Sequence, residues 1–93
     1  QADAKGAQYE RRLVGHPAVR EIRRTGLLMG VEFGDPALTQ RIVLRAVERG
    51  LMTEWFLFRN TAMRIAPPLT ITPAEIDESC DILLDVLREV TGS

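Results

Sequence analysis

Apolar residues alternate with other residues in the stretch 27–33, which predicts a β-strand with one buried face. The apolar positions on that face are Leu27, Met29, Val31 and Phe33. The preceding stretch, 19–25, is much more charged, as expected for a strand at the edge of a sheet, and it would meet the second strand at Thr25-Gly26. Gly30 lies on the opposite face of the second strand, where a glycine suggests that another backbone or side chain approaches closely.

The stretch 2–14 has the composition of a helix, with many Ala, Gln, Glu and Arg residues. It carries a single apolar pair at helical spacing, Tyr9 and Leu13. One such pair cannot stabilise an isolated helix, so we expect this helix to pack on something larger. Gly15 and the following His16-Pro17 end the helix. His16 is the only histidine, and because no cysteine lies near it in the sequence, a metal-binding role is disfavoured.

Capping residues mark the ends of two further predicted helices. The second helix would begin with Asp35 as its N-cap and Pro36 in its first turn, and Gly50 would end it. The third would begin with a capping box formed by Thr72 and Glu75 and continue to about residue 90. The apolar stripes of these helices are Leu38, Ile42, Val43, Ala46 and Val47 in the second, and Ile76, Cys80, Leu83, Leu84 and Leu87 in the third.

The stretch 62–66 predicts a short strand that stops at two prolines. Met63 and Ile65 would face the core, and Arg64 would project from the other face between two alanines. Because Pro67 prevents further pairing, the guanidinium of Arg64 would lie near the end of the strand and the exit of the sheet. A guanidinium there suits bidentate binding of a carboxylate or phosphate. Alternatively, Arg64 pairs with a neighbouring Asp or Glu of the chain itself.

A brief strand is predicted at 51–53, and an aromatic-rich connecting segment, Trp-Phe-Leu-Phe, follows at 55–58. This segment is expected either under the core or against another chain, and we favour the second because a chain this short has a modest core. The order of elements is then α-β-β-α-β-β-α. This order predicts an α+β fold, a small, mostly antiparallel sheet with helices packed on it.

Composition narrows the possible functions of this sequence of 93 residues, which is one domain's worth of chain (1–93). Twelve Lys and Arg against thirteen Asp and Glu leave no basic surplus for nucleic acid or an anionic membrane. No apolar run approaches the length of a membrane span. Cys80 is the only cysteine, so a reducing, cytoplasmic location is expected, and its place in an apolar stripe favours core packing. No catalytic triad, metal cluster or glycine-rich phosphate loop is visible.

Three motifs, in order and at matching spacing, resemble one known family. They are VREIRRTGLLMGVEF at 19–33, ERGL at 48–51 and MRIAPPLTIT at 63–72. Together they resemble the C-terminal small domain of the class III, fold-type-I, pyridoxal-phosphate-dependent aminotransferases, such as the ornithine, acetylornithine and putrescine aminotransferases. The resemblance covers nearly the whole chain. Two departures are Thr25, in place of a small or glycine-flanked turn residue, and the aromatic segment 55–58, in place of a glycine-bearing loop, which bears on substrate choice.

The resemblance implies a transfer of an amino group from an amine or ω-amino acid to a 2-oxo acid. The cofactor would be pyridoxal 5'-phosphate, held by a large domain outside this sequence, and the whole enzyme would be a homodimer. Lys5 matches no catalytic position, so no catalytic, cofactor-binding or metal-binding residue is expected here and the segment alone would be inactive. Arg64 matches the arginine that binds a substrate carboxylate in many relatives.

The chain opens without an initiator methionine, which we interpret as a piece of a longer polypeptide. Within that interpretation the domain would orient the substrate and close over the active site. The alternative is a stand-alone α+β interaction or dimerisation module without enzymatic activity, with the aromatic segment 55–58 as its interface.

Overall fold

The computed structural model describes residues 2–51 and 55–93. Within these residues, three helices and four strands follow one another in the predicted order. They are α1 (Ala2–Leu13), β1 (Glu21–Thr25), β2 (Leu28–Glu32), α2 (Pro36–Glu48), β3 (Phe56–Arg59), β4 (Ala62–Ile65) and α3 (Pro73–Thr91). The strands form one antiparallel sheet in the order β1-β2-β4-β3. The predicted α+β class and element order are therefore confirmed.

The two faces of the sheet differ sharply because side chains alternate along each strand. One face packs on the helices and supplies the core, and in β2 and its flanks it carries the predicted set of Leu27, Met29, Val31 and Phe33, all buried. The opposite face, called the outer face below, is exposed or half-buried. Its residues are Glu21, Arg23, Thr25, Leu28, Gly30, Glu32, Leu57, Arg59, Ala62 and Arg64.

Helix α1 packs on the rest of the domain, as its sparse apolar pattern requires. Tyr9 and Leu13 are fully buried in the core. At the polar side of α1, the guanidinium of Arg24 in β1 donates hydrogen bonds to the carboxylates of Asp3 and Glu10, each at 2.9 Å. These contacts join the helix to the edge strand of the sheet.

The predicted helix ends are confirmed. The side chain of Asp35 accepts hydrogen bonds from the first turn of α2, and Thr72 and Glu75 form the capping box of α3. Helix α2 ends at Glu48, and Gly50 then adopts a left-handed conformation with φ of 89°. Cys80 is buried in the core, and burial raises the pKa of its thiol to about 12, which fits a packing role rather than a nucleophile.

The strand predicted at 51–53 falls mostly on residues 52–54, which lie outside the described part of the chain. The third strand that the structure describes is β3, Phe56–Arg59. The run 55–58 is therefore not a connecting segment, because it enters the edge strand β3. Phe56 packs in this domain's own core, 2% exposed and edge-on to Tyr9 with ring centroids 6.4 Å apart. The favoured burial of the whole run against another chain is thus wrong for Phe56, although Leu57 remains 53% exposed. The side chain of Phe58 lies outside the described part.

None of the helices in the described part of the chain combines the length and apolar character that crossing a membrane requires. No group of three or more His, Cys, Asp or Glu residues within 2–51 and 55–93 is arranged to hold a metal ion. The ring nitrogen Nδ1 of His16 instead accepts a hydrogen bond from the backbone N–H of Ala18 at 3.0 Å, in the turn that connects α1 to β1.

Candidate functional site

Strand β4 holds Arg64 in a fixed position on the outer face. Its neighbours in sequence, Met63 and Ile65, are fully buried and anchor the strand in the core. Arg64 itself is exposed and lies one residue before the end of the strand, as predicted. Across the sheet, however, β4 is an interior strand, so Arg64 lies in the middle of the outer face rather than at the exit of the sheet. Sequence could not reveal this, because the pairing of β4 between β2 and β3 is a long-range feature.

Four residues form a row across all four strands at the position of Arg64. Arg23 of β1 lies opposite Gly30 of β2, Gly30 lies opposite Arg64, and Arg64 lies opposite Leu57 of β3. Neighbouring strands are about 5 Å apart, so the two arginine positions of the row are separated by roughly 10 Å. The position between them has no side chain.

A concavity of about 390 Å³ lies on the outer face around Arg64. We call it the Arg64 concavity, and its lining residues are Gly30, Leu57, Arg59, Ala62, Met63 and Arg64. A smaller hollow of about 50 Å³ lies on the other side of Gly30 and is also bordered by Ala62. Gly30 and Ala62 line both hollows, and because neither has a long side chain they form a shared floor between them.

The charges in the Arg64 concavity are both positive. Neither Arg59 nor Arg64 forms an ion pair with any carboxylate of residues 2–51 and 55–93. An arginine side chain stays protonated in proteins, so both carry a full charge. The expected alternative, a local carboxylate partner for Arg64, is thus not found in the described part of the chain.

The acidic residues of the outer face are already engaged elsewhere. Glu21 pairs with Arg23 through Oε2 and Nε at 3.1 Å, and this hydrogen bond lowers the pKa of Glu21. A carboxylate oxygen of Glu32 accepts a hydrogen bond from the backbone N–H of Gly34 at 3.0 Å. The face therefore offers two guanidinium groups that no described carboxylate neutralises, which is an arrangement suited to an anion.

Arg59 is not among the predicted site residues, because the sequence pattern predicts a connecting segment and not a strand at 55–58. Once β3 begins at Phe56, the two-residue alternation assigns Leu57 and Arg59 to the same face as Arg64. A second hollow, of about 420 Å³ between α2 and β3, is slightly larger, but among the described residues that line it only Arg59 is charged. Size alone does not make it the better anion site.

Comparison with known proteins identifies the family. Residues 1–87 match the family model of the class III aminotransferases. The chain belongs to the class III aminotransferase family.

This class III aminotransferase sequence is similar to several curated enzymes. It is 43% identical over 75 residues to the acetylornithine aminotransferase of Caldanaerobacter subterraneus subsp. tengcongensis, a match that covers 81% of this chain and 18% of that enzyme. It is 37% identical over 89 residues to the diaminobutyrate–2-oxoglutarate transaminase of Streptomyces anulatus, with 92% of this chain and 21% of the relative covered. The chain thus spans about a fifth of the length of these relatives.

Solved class III aminotransferases contain the same fold. An engineered thermostable ω-transaminase from Pseudomonas jessenii superimposes with a TM-score of 0.83 at 26% identity, over 98% of this chain and 23% of that one. The ornithine aminotransferase of Toxoplasma gondii superimposes with a TM-score of 0.77 at 30% identity, over 98% and 22% of the two chains. The latter structure shows partial occupancy of pyridoxal phosphate at its active site.

The described residues of this class III aminotransferase sequence do not fit a pyridoxal phosphate site. Such a site needs a lysine for the Schiff base and backbone N–H groups for the phosphate. Lys5 is the only lysine in the sequence, and its ammonium group donates a hydrogen bond to the carbonyl of Leu69. The N-termini of α2 and α3, which are the helix ends that attract a phosphate, are capped by Asp35 and by Thr72 with Glu75. We therefore assign no step of cofactor chemistry to these residues.

Proposed function

We propose that this chain is the C-terminal small domain of a pyridoxal-phosphate-dependent aminotransferase. The complete enzyme would transfer an amino group from an amine or ω-amino acid to a 2-oxo acid, and Arg64 would bind a carboxylate of the substrate. Membership in the class III family and the similarity to acetylornithine and diaminobutyrate–2-oxoglutarate transaminases support this reaction class.

The single observation that carries the role of Arg64 is its position in an exposed concavity without an acidic partner in the described residues. A guanidinium presents parallel N–H donors that match the two oxygens of a carboxylate. Because Met63 and Ile65 fix the strand in the core, the guanidinium is attached to a rigid element, which favours precise orientation of a ligand.

The cofactor, when bound, supplies the electron sink for the amino transfer, and we propose that it is held by the large domain in the remainder of the polypeptide. The part of this chain would be to bind and orient the acid substrate and to help exclude water as the domains close. A homodimeric enzyme is part of the same proposal. Sequencing the flanking gene tests it, since we expect an upstream α/β domain with a Schiff-base lysine.

The role of Arg64 is tested with Arg64→Lys in the complete enzyme. Lysine keeps the charge but loses the bidentate geometry, so we expect the KM for the 2-oxo acid to rise about tenfold, the equivalent of about 1.4 kcal/mol. The absorbance of the bound cofactor should not change, because Arg64 is not expected to contact it. Arg41→Lys, at an exposed position on α2, is the matched control. Unaltered kinetics of Arg64→Lys would remove the substrate role.

The alternative function is a stand-alone interaction module that uses 55–58 as its interface. The argument that this run forms an exposed aromatic patch does not hold for Phe56. Phe56 is buried in the core of the same domain and does not contribute to an exposed aromatic patch. No specific observation favours this alternative over the aminotransferase.

A further inference from the structure

Nothing in the described part of the chain requires a glycine at position 30. Glycine in the middle of a strand weakens it, since the chain loses more freedom on folding and no side chain packs. A glycine is normally retained because its φ is positive or because a neighbour leaves no room for a Cβ atom. Neither reason holds within the described residues: Gly30 is not among the positive-φ residues, and no atom of 2–51 and 55–93 is recorded within 4 Å of a Cβ built on it.

The open space above Gly30 is also not used by the flanking arginines. Arg23 and Arg64 lie directly opposite Gly30 on its two sides, and their stems could have covered a glycine. The guanidinium of Arg23 instead donates a hydrogen bond to Glu21 of the same strand. Neither the Arg23 nor the Arg64 side chain comes within 4 Å of a Cβ built on Gly30. A glycine inside a strand predicts a close approach at Gly30, and no described part of this chain supplies it.

We propose that Gly30 is a specificity-determining residue that keeps the floor of the Arg64 concavity open, so that a small anionic substrate can lie against the backbone of β2 while Arg64 binds its carboxylate. This inference rests on the proposed function of Arg64 and extends it to a residue without a functional group. A Cβ at position 30 would project from the outer face, directly beside Arg64, into the space that the acid would occupy.

The chemistry of the concavity indicates the class of ligand. Its two charged lining residues, Arg59 and Arg64, are cations, while Leu57 and Ala62 offer apolar contact between them. A short dicarboxylate has carboxylates for the cations and a carbon skeleton for the apolar surface. A protein segment from elsewhere in the enzyme is the competing occupant, and the experiment separates the two.

The test compares Gly30→Ala with wild type in the complete enzyme, with glutarate as an unreactive dicarboxylate probe. The dissociation constant of glutarate is measured by calorimetry, and each half-reaction is followed separately, one with a 2-oxo diacid and one with a monoamine that has no carboxylate. Gly15→Ala is the matched control, because a Cβ on Gly15 would also meet no atom within 4 Å and its φ is not positive, but it does not line the concavity. Gly30→Val extends the series in size.

We expect Gly30→Ala to weaken glutarate binding and to lower the rate constant with the 2-oxo diacid about tenfold or more, since small displacements of a bound group have effects of this size. The half-reaction with the monoamine should be unchanged, and Gly15→Ala should keep wild-type binding and rates. The melting temperature of Gly30→Ala should not fall, since an alanine at an open strand position removes the conformational cost of glycine. If Gly30→Ala binds glutarate normally while Arg64→Lys does not, the inference about Gly30 is wrong and the function of Arg64 stands. If both variants bind normally, the proposed function fails as well.

A third result would also overturn the inference. If Gly30→Ala lowers the melting temperature and slows both half-reactions equally, then a segment of the enzyme itself fills the space above Gly30. The loss would then reflect packing between parts of the protein and not access for an acid.

Discussion

Gly6 of helix α1 packs directly on the carbonyl group of Gly26, at the turn between β1 and β2. A Cβ atom on Gly6 would overlap the carbonyl oxygen of Gly26 and would lie 2.9 Å from the Cδ of Arg24. The same carbonyl oxygen accepts a hydrogen bond from the guanidinium of Arg24 at 2.9 Å. The helix and the hairpin therefore meet at a point where only a hydrogen atom fits, and this contact fixes how α1 lies on the edge of the sheet.

We predict that Gly6→Ala destabilises the protein. Alanine favours the helix by about 1 kcal/mol over glycine. The overlap is with backbone atoms, which cannot move aside without shifting α1 or the hairpin, and overpacking of this kind costs about 1–3 kcal/mol or more. The net effect should be a lower midpoint of urea unfolding at an unchanged m-value. Gly15→Ala, where a Cβ meets nothing, is the control, and equal midpoints for the two variants would contradict the prediction.

The sequence predicted those parts of the fold that depend on local patterns. The alternation in 27–33, the N-cap Asp35 and the capping box of Thr72 and Glu75 all hold in the structure. Each of these signals is short in range, since it depends on the strand period or on side chains that bond to the nearest turn of a helix. The contact between Gly6 and Gly26 joins separate elements, and nothing in the local pattern reveals it.

The strand at 56–59 and the place of Arg59 in the candidate site were not predicted, for a related reason. The run Trp55-Phe56-Leu57 is apolar at every position, so it shows no alternation from which a strand and its buried face could be recognised. The structure buries Phe56 and exposes Leu57, which assigns Arg59 to the outer face. Arg64 was identified because two prolines mark the end of its strand. The positions of Leu57 and Arg59 beside it follow from the pairing of β3 with β4, which no local pattern shows.

A second prediction concerns the buried hydrogen bond between α1 and α3. The hydroxyl of Ser79 donates to the carbonyl of Ile76 at 3.0 Å, so its single proton is committed and the hydroxyl of Tyr9 must be the donor in the 3.0 Å contact between them. Burial raises the pKa of Tyr9 to about 12, which keeps this donor protonated over the working range of pH.

Removal of the two partners should therefore have unequal effects. Ser79→Ala leaves the buried O–H of Tyr9 without an acceptor, and we expect a loss of about 1–3 kcal/mol. Tyr9→Phe removes the donor and leaves a serine that is still bonded to Ile76, so the loss should be smaller, at about 1 kcal/mol. Both are measured by urea unfolding, with the double variant to obtain the coupling energy. A larger loss for Tyr9→Phe than for Ser79→Ala would show that the assignment of the donor is wrong.

The last prediction concerns the second cation of the Arg64 concavity. Arg59 lies opposite Ala62 and Arg64 lies opposite Leu57, so the two arginines are diagonal neighbours on adjacent strands with Cα atoms about 7–8 Å apart. Their like charges repel each other, and an anion between them relieves that repulsion. A ligand with two negative charges should benefit more than a ligand with one.

We therefore expect Arg59→Gln in the complete enzyme to weaken competitive inhibition by a dicarboxylate about three- to tenfold, and that by a monocarboxylate of similar size much less. Because Arg59 is exposed to solvent and its effect is electrostatic, added salt should reduce the difference in dicarboxylate inhibition between the variant and wild type. Arg41→Gln, at an exposed position on α2, controls for the loss of one positive charge at a distance. Equal losses for both inhibitors would indicate that Arg59 acts only through the overall electrostatic field of the protein. No loss for either inhibitor would exclude Arg59 from the site, and Arg64 would then be the cation of this concavity that contacts the acid.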